Sequence, residues 1–267
     1  MVFFMAGTSD ARDLAVRLKG QGHSLLASVV TDSAARSLQK AGIEVRTGRL
    51  SVKEMTEQLR TTGARVLVDA SHPFAQEAHR TAMRAAEAVG IHYVRYERAS
   101  KTYDHPRVTW VDTYEEAAEA AYARRGSIML TTGSKTLQTF AKVLLELPDV
   151  RLVARLLPNV ENMEKCVRLG LESKNIVGMQ GPFSKEFNQA LYRQYNTTVM
   201  VTKESGGPGS VDEKVEAALD MGIDVIIIRR PKLAYGTCYP TFEGAVAEVE
   251  RLTRQNTRDV LSTPLKR

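Results

Sequence analysis

The sequence predicts an α/β protein with two Rossmann-like lobes, mostly parallel sheets and a cleft between the lobes. First, short apolar runs alternate with amphipathic helical stretches along the chain, which implies crossover connections between parallel strands. Second, this rhythm breaks once, between residues 98 and 111, and then restarts. Third, residues 3–9 and 128–134 both pass from an apolar run through glycine and hydroxyl side chains, so the second half echoes the first.

Composition places the chain among ordinary globular proteins. Of its 267 residues, 43% are hydrophobic and 25% are charged, which excludes disordered and fibrous classes. Every apolar run falls short of the roughly 18 residues that span a bilayer. The strongest run, residues 225–228, ends at Arg229 and Arg230. We therefore expect no membrane association.

Cysteine content and charge indicate the compartment and the kind of ligand. Cys166 and Cys238 form no C-x-x-C pair and have no histidine cluster nearby, so we expect no metal site, no disulfide framework and a cytoplasmic location. The 37 Lys and Arg exceed the 31 Asp and Glu and give a formal net charge of +6. Because the basic residues are scattered, a small polyanionic ligand fits better than nucleic acid.

Five strands separated by helices are predicted in the first half. Residues 1–6 lack a basic leader and are interpreted as the first strand rather than an export signal. A helix over residues 76–89 shows the pattern, since Ala78, Ala82 and Ala85 recur at helical spacing and Gly90 ends it. The predicted strands cover residues 2–5, 24–30, 43–46, 66–69 and 91–96.

The domain boundary is expected where the rhythm breaks. Residues 98–111 carry Pro106 and the only tryptophan, Trp110, so we place the lobes at residues 1–110 and 111–267. The second lobe restarts with a helix over residues 113–124. Its predicted strands cover residues 127–130, 150–156, 175–179, 198–201 and 225–228.

The loop over residues 6–12 is a candidate phosphate site. It joins a buried strand to a helix, where backbone N–H groups and the helix dipole favour an anion. It has one glycine, Gly7, and therefore lacks the G-x-G-x-x-G pattern of dinucleotide-binding loops. The alternative is a plain turn capped by Ser9 or Asp10. After the second strand, Asp32 suits a ribose hydroxyl and Arg36 suits a 2′-phosphate, so NADH and NADPH both stay open.

Four further loops follow predicted strands, at the edge where ligands of open α/β sheets bind. Residues 69–74 contain His72, which titrates near neutral pH, although a lone histidine is often structural. Residues 131–135 repeat the anion pattern and add Lys135. Gln180 and Phe183 could line a flat ligand, and residues 201–209 combine glycines with Lys203. Together these loops indicate a cleft enzyme, and diagnostic hydrolase and nucleotide-triphosphatase motifs are absent from the sequence.

Five segments together resemble one family. They read A-G-T-S-D-A-R at 6–12, D-A-S-H-P-F-A at 69–75, T-T-G-S-K at 131–135, K-N-I-V-G-M-Q-G-P-F-S at 174–184 and T-K-E-S-G-G at 202–207. In this order they are similar to the precorrin-6A reductases of cobalamin biosynthesis, over about residues 3–231. The resemblance implies two α/β lobes, NADPH or NADH as cofactor, and reduction of one macrocycle double bond in precorrin-6A or cobalt-precorrin-6A to the 6B form.

The resemblance also suggests site residues. The proton donor is expected to be His72, then Lys203, then a bound water. Cofactor binding is expected from Gly7, Thr8, Ser9, Arg12, Thr132, Gly133, Ser134 and Lys135. Substrate binding is expected from Ser71, Gln180, Phe183, Ser205, Gly206 and Arg229. Because the tetrapyrrole carries many carboxylates, basic side chains should attract it. The candidates are Arg95, Arg98, Arg107, Arg155, Lys203, Arg229 and Arg230.

Three other functions compete with this one. A strand followed by a glycine loop also binds S-adenosylmethionine, so a tetrapyrrole methyltransferase is an alternative, as is a non-catalytic tetrapyrrole-binding protein. Nucleic-acid binding is disfavoured because no basic helix or aromatic-basic platform is present in the sequence. The sequence leaves open whether the substrate contains cobalt, which nicotinamide is used, and the oligomeric state.

Overall fold

The computed structural model describes residues 1–204 and 211–262, without the side chains of Ser9, residues 211–212 and residues 255–262. These residues form two compact units. The first combines Met1–Ala99 with the described part of Pro231–Arg267, and the second is the described part of Ser100–Arg230. This grouping differs from the division after residue 110 that the sequence suggested, because the chain returns to the first unit after Arg230.

Strands and helices alternate along most of the described chain. The strands are β1 (Val2–Ala6), β2 (Leu25–Val29), β3 (Glu44–Thr47), β4 (Val66–Ala70), β5 (His92–Tyr96), β6 (Val108–Val111), β7 (Gly126–Leu130), β8 (Val150–Leu156), β9 (Ile176–Gly178), β10 (Val199–Lys203), β11 (Asp224–Ile228) and β12 (Cys238–Tyr239). The helices are α1 (Ser9–Gly20), α2 (Asp32–Lys40), α3 (Val52–Thr61), α4 (Gln76–Val89), α5 (Tyr114–Arg124), α6 (Leu137–Leu144), α7 (Val160–Arg168), α8 (Lys185–Gln194), α9 (Val211–Asp220) and α10 (Phe242–Ser262).

Each unit contains one sheet of six parallel strands, which confirms the predicted α/β class. In the first unit the order is β12-β5-β4-β1-β2-β3, and in the second it is β6-β11-β10-β7-β8-β9. Apart from the edge strand that completes each sheet, both follow the doubly wound order, in which the chain moves outward from a central strand and then crosses to its other side. The crossing lies between β1 and β4 in one sheet and between β7 and β10 in the other. Ligands of such folds bind at the carboxyl ends of these central strands.

Two hydrophobic layers hold the first sheet between helices. Alternate residues of a strand face opposite sides, so Phe4 and Phe3 of β1 belong to different buried clusters. Phe4 packs in a cluster with Leu14 of α1 and Leu252 of α10. Phe3 packs in a cluster with Leu59 of α3 and with small residues of α4. The C-terminal helix is therefore part of the core of the first unit.

The second sheet is covered in the same way. Met129 of β7 and Met200 of β10 lie in a buried cluster with Tyr192 of α8 and Val215 of α9. Ala117 of α5 and residues of α6 are also buried. The bulk of both cores consists of aliphatic side chains on strands and alanines on helices, which lets the helices lie close to the sheets.

Two edge strands were not anticipated from the sequence. β6 lies within residues 98–111, where we expected only a boundary, and it pairs with β11. β12 has two residues and pairs with β5. Both are short and only partly buried, so neither has the continuous apolar run by which the central strands are recognised. The helix predicted over residues 76–89 is confirmed, and Gly90 ends it in a left-handed conformation with φ of 75°.

Among the described residues, no helix is both long enough and apolar enough to cross a bilayer. Neither the buried Cys166 nor the exposed Cys238 forms a disulfide bond.

The packing of α10 predicts a large effect of one leucine. Leu252 is 2% exposed in the core of the first unit. Leu252→Ala should lower the free energy of unfolding by about 2 to 5 kcal/mol, because it removes buried methyl groups and leaves a cavity. Urea denaturation measures this. Leu157→Ala is the control, since Leu157 is 49% exposed, and its effect should stay within about 0.5 kcal/mol. Equal effects of the two variants would contradict the placement of α10.

Candidate functional site

The loops that follow β1 and β4 touch each other. A Cβ atom added to Gly7 would lie 3.0 Å from the backbone nitrogen of His72 and 3.1 Å from Cα of Ser71. A side chain at this position would therefore force the neighbouring loop to move by a few tenths of an ångström. Thr8 caps α1 by accepting a hydrogen bond from the Ala11 N–H at 3.4 Å. The cap is therefore Thr8 and not Ser9 or Asp10, the two residues that the sequence analysis considered, because the helix already begins at Ser9. The structure thus brings predicted residues of two motifs together at the centre of the first sheet.

Asp69 is the centre of a buried hydrogen-bond network at the end of β4. One carboxylate oxygen accepts from Ser71, at 3.0 Å from the backbone N–H and 2.5 Å from the hydroxyl. The other oxygen lies 2.7 Å from Nδ1 of His79 and accepts from the Tyr93 hydroxyl at 2.8 Å. Asp69 and His79 are both fully buried. Both the hydroxyl and the backbone N–H of Ser71 donate to Asp69. The contact between Ser71 and substrate that the sequence analysis expected would therefore have to compete with these hydrogen bonds.

Arg95 supplies the countercharge to Asp69. Its Nη1 donates to the Asp69 side chain at 3.3 Å and to the backbone oxygens of Asp69 and Ser71 at 3.0 and 2.9 Å. The other side of the guanidinium donates to Glu97 at 2.7 and 3.1 Å, and Cζ of Arg95 lies 5.3 Å from the ring centre of Tyr235. Arg95 is completely buried. It therefore ties the start of the β4 loop to β5 and is committed to internal partners.

Charges within the network shift the ionisation of its members. Burial by itself would raise the pKa of Asp69, but the hydrogen bond from His79 and the charge of Arg95 together hold that pKa well below its usual value. Burial and the nearby Asp69 carboxylate raise the pKa of Tyr93 far above its usual value. Asp69 is thus an anion and Tyr93 a neutral donor throughout the physiological range.

His72 lies next to this network, on the loop that touches Gly7. The Phe74 N–H donates to Nδ1 of His72 at 3.2 Å, so a neutral His72 carries its proton on Nε2. The ring centres of His72 and Phe74 lie 5.9 Å apart. Arg12, expected at the cofactor, lies on the surface of α1 and donates to Asp13 at 3.3 Å and to the Ser37 carbonyl at 3.5 Å.

The loop after β7 offers an unsatisfied polar group. Thr132 is 2% exposed, and its hydroxyl has no partner among the described residues. Gly133 has φ of +83° and open space where a side chain would be. Ser134 is half-buried and Lys135 exposed. Because α6 begins only at Leu137, this loop is longer than its counterpart after β1, and a buried hydroxyl beside open space fits a polar ligand group.

Three basic side chains lie near the carboxyl edge of the second sheet. Arg155 of β8 is 7% exposed and donates to Oδ1 of Asn188 at 2.7 Å. Lys203 ends β10, and burial together with Lys135 lowers its pKa to about 8. Lys214, on α9, donates to Oγ1 of Thr202 at 3.4 Å, and burial, Arg155 and Lys203 lower its pKa to about 7. The sequence analysis did not single out Lys214.

Most of the arginines considered for substrate carboxylates are paired with acids inside the protein. The exception is Arg155, which forms no ion pair with any described side chain. The pairs are Arg95 with Asp69 and Glu97, Arg98 with Asp10, Arg107 with Asp224, Arg229 with Asp112 and Arg230 with Glu204. An external anion would therefore have to compete with these acids for most of the candidate arginines.

The remaining substrate candidates differ in their surroundings. Gln180 is exposed. Phe183 is half-buried, stacks on Phe187 at 5.1 Å and covers Arg155 at 4.9 Å. Ser205 and Gly206 lie outside the described residues.

The sequence analysis did not identify His79 and Lys214, although the position of each on its helix is a signal that the sequence contains. His79 is three residues before Ala82, on the buried face of α4, where a polar residue needs a partner. Lys214 is four residues before Ala218 and stands next to Val215 on α9, whose apolar face is buried. A titratable side chain on the apolar face of a predicted helix is the common signal, but the sequence alone does not name the partner.

The network predicts an acid-sensitive contribution to stability. Asp69→Asn should lower the free energy of unfolding at pH 7 by about 3 to 5 kcal/mol, because Arg95 loses a buried counterion. Since folding lowers the pKa of Asp69, this contribution is present above the unfolded-state value of about 4 and is lost as the pH falls toward the folded-state value. Denaturation between pH 7 and pH 2 should show a shallower acid dependence in the variant.

Asp13→Asn is the matched control for Asp69→Asn. Asp13 has a side chain that is 60% exposed, so its replacement should change stability by no more than about 0.5 kcal/mol. Equal stability of Asp69→Asn and the natural protein at pH 7 would show that the carboxylate charge is not needed.

Comparisons with known proteins identify the family. The model of the family described as Precorrin-6x reductase CbiJ/CobK matches residues 1–253. The chain is 57% identical over 254 residues to the cobalt-precorrin-6A reductase of Priestia megaterium, covering 95% of this chain and 100% of that protein. It is 31% identical over 268 residues to the precorrin-6A reductase of Rhodococcus erythropolis, covering 95% and 99% of the two chains. A solved structure described as CobK precorrin-6A reductase aligns with a TM-score of 0.80 at 26% identity, covering 94% of this chain and 96% of that one. The chain belongs to the precorrin-6x reductase family.

Proposed function

We propose that this protein reduces one double bond of cobalt-precorrin-6A to give the 6B form, with NADPH or NADH as the reductant. The observation that carries the proposal is the high identity to the Priestia megaterium reductase, which extends over that protein's whole length. The two parallel sheets, with polar loops at their carboxyl ends, support a reaction between a nucleotide and a second ligand.

The cobalt-containing form of the substrate is part of the proposal. Two relatives named for the cobalt form are 57% and 38% identical to this chain, whereas two relatives named without the metal are 31% and 28% identical. The metal would arrive as part of the substrate. We also propose a cytoplasmic location, which is supported by two cysteines that form no disulfide bond.

Two loops fit the phosphates of a nicotinamide dinucleotide. Thr132 has a buried hydroxyl without a partner among the described residues, and Gly133 leaves open space beside it. Thr8, with Gly7, stands at the N-terminus of α1, where the helix dipole favours an anion. When bound, the nicotinamide supplies the hydride. The protein aligns the two reactants and binds their negatively charged groups, and it must also deliver one proton.

His72 is our first choice for that proton, with Lys203 second and a bound water third. His72 sits at the carboxyl end of β4 and can carry a proton on Nε2. Lys203 sits at the carboxyl end of β10, and its pKa of about 8 lets it act as an acid near neutral pH. Asp69 does not transfer the proton in this scheme. Through Ser71 and Arg95 it fixes the loop that carries His72.

The reaction itself tests the proposal. Purified protein is mixed anaerobically with cobalt-precorrin-6A or with metal-free precorrin-6A, and NADPH or NADH is added to each. We expect loss of the reduced-nicotinamide absorbance that requires both protein and tetrapyrrole, and faster loss with the cobalt form. Folded protein that is silent in all four mixtures would contradict the proposal, and a rise in melting temperature with S-adenosylmethionine alone would then favour a methyltransferase.

Proton delivery is tested by comparing His72→Gln and Lys203→Met. We expect His72→Gln to lower kcat by about 10²- to 10⁴-fold, the usual range for loss of a general acid, and Lys203→Met to have the smaller effect. Lys142→Met is the control, because Lys142 is exposed on α6. If His72→Gln keeps full turnover at every pH while Lys203→Met loses it, Lys203 is the donor, and kcat of the natural protein should then fall as the pH rises through about 8. Full turnover in both variants would leave a bound water as the donor.

A further inference from the structure

Charge balance in the second unit points to an anion site. Arg155 has 7% of its surface exposed, yet its contacts are the amide oxygen of Asn188 and the ring of Phe183. Neither partner is an anion. Buried guanidinium groups are normally paired with an acid, as Arg95 is with Asp69 in the first unit. Arg155 thus differs from the other arginines of the described chain that are buried to a similar degree.

Lys214 presents a second positive charge on the same side of the sheet. Arg155 contacts α8 through Asn188, while Lys214 extends from α9 to Thr202 of β10. The helices α8 and α9 cover the same face of the sheet, where Tyr192 and Val215 share one buried cluster. Glu213 precedes Lys214, but no ion pair joins them in the described structure, and Oε2 of Glu213 has no hydrogen-bond partner there.

The two cations influence each other. Burial lowers the pKa of Arg155. Burial, followed by the charges of Arg155 and Lys203, lowers the pKa of Lys214 to about 7. Glu213 raises this pKa, but by less than either Arg155 or Lys203 lowers it. Like charges that are not fully balanced by acids raise the free energy of the ligand-free protein. An anion placed between them would relieve this repulsion.

We propose that Arg155 and Lys214 bind an anionic oxygen group of a ligand at the carboxyl edge of the second sheet. Asn188 fixes one nitrogen of the guanidinium and Phe183 covers one of its faces, so the remaining N–H donors form a fixed fork that suits the paired oxygens of a carboxylate or phosphate. Lys214 adds a single charge that can follow the ligand. This inference rests on the proposed function, which offers two sources of such a group: a carboxylate of the tetrapyrrole and a phosphate of the nicotinamide dinucleotide.

The same strand provides a matched control. Arg151 of β8 donates to Oδ1 of Asn175 at 2.8 Å and lies 5.0 Å from the ring centre of Tyr195. Its contacts therefore copy those of Arg155, an amide oxygen and an aromatic ring. Arg151 stands at the amino-terminal end of the strand, away from the edge where ligands bind. A substitution at Arg151 reproduces the structural loss without removing the proposed anion contact.

Binding to the full-length protein tests the proposal without requiring turnover. Calorimetry with NADP⁺ and fluorescence titration with uroporphyrin, a tetrapyrrole polycarboxylate, are carried out on the natural protein, Arg155→Gln, Lys214→Gln and Arg151→Gln. We expect Arg155→Gln and Lys214→Gln to weaken binding of at least one probe by about 10- to 100-fold, the effect of losing a charged hydrogen bond, and Arg151→Gln to change it less than twofold. Loss for NADP⁺ assigns the site to a phosphate, and loss for uroporphyrin assigns it to a carboxylate.

The outcomes separate this inference from the proposed function. If the natural protein oxidises NAD(P)H with the tetrapyrrole but both cation variants bind both probes with natural affinity, the anion site is wrong and the reductase proposal stands. If the natural protein binds neither probe, the site is also wrong. Melting temperatures identify a variant that does not fold, and in that case Lys214→Gln, at a half-buried side chain, decides the outcome.

Discussion

The buried charge of Asp69 is the constraint on which the first unit depends. A carboxylate at the end of a central parallel strand has no access to water, so every lone pair must be met by the protein. Ser71, His79, Tyr93 and Arg95 meet them, and they come from the β4 loop, α4 and β5. Three separate parts of the chain are thereby fixed around one anion. This network therefore holds in place the loop that contacts Gly7 and carries His72.

The two units share one strand topology but differ in the charge balance at the carboxyl edge of the sheet. Both sheets place a central pair of strands side by side and end them in polar loops. In the first unit the arginine at the carboxyl edge, Arg95, is neutralised internally by Asp69 and Glu97. In the second unit neither Arg155 nor Lys214 forms an ion pair with a described side chain. The charges at the first edge are therefore balanced by the protein itself, whereas those at the second edge call for an external anion.

The sequence predicted the central strands and the class because these carry strong local patterns. Residues 225–228 are an example, predicted as a strand and found within β11, since a continuous apolar run bounded by polar residues has few other solutions. β12 and the return of the chain to the first unit were not predictable, because two half-exposed residues acquire strand geometry only from pairing with β5. Within the candidate site, loops could be located but partners could not. Arg98, Arg229 and Arg230 resemble ligand-binding residues in the sequence, and only the fold shows that Asp10, Asp112 and Glu204 already pair with them.

Hydrogen exchange at the β4 loop tests the central claim most directly. The Ser71 N–H donates to Asp69, and its exchange should be slow in the natural protein because the network must open first. In Asp69→Asn, under conditions where the protein stays folded, we expect exchange at the amides of residues 71, 72 and 74 to accelerate at least tenfold, while amides of the second unit keep their rates. Asp13→Asn should leave the loop unchanged. Unaltered exchange at residues 71, 72 and 74 in folded Asp69→Asn would show that the buried charge does not hold this loop.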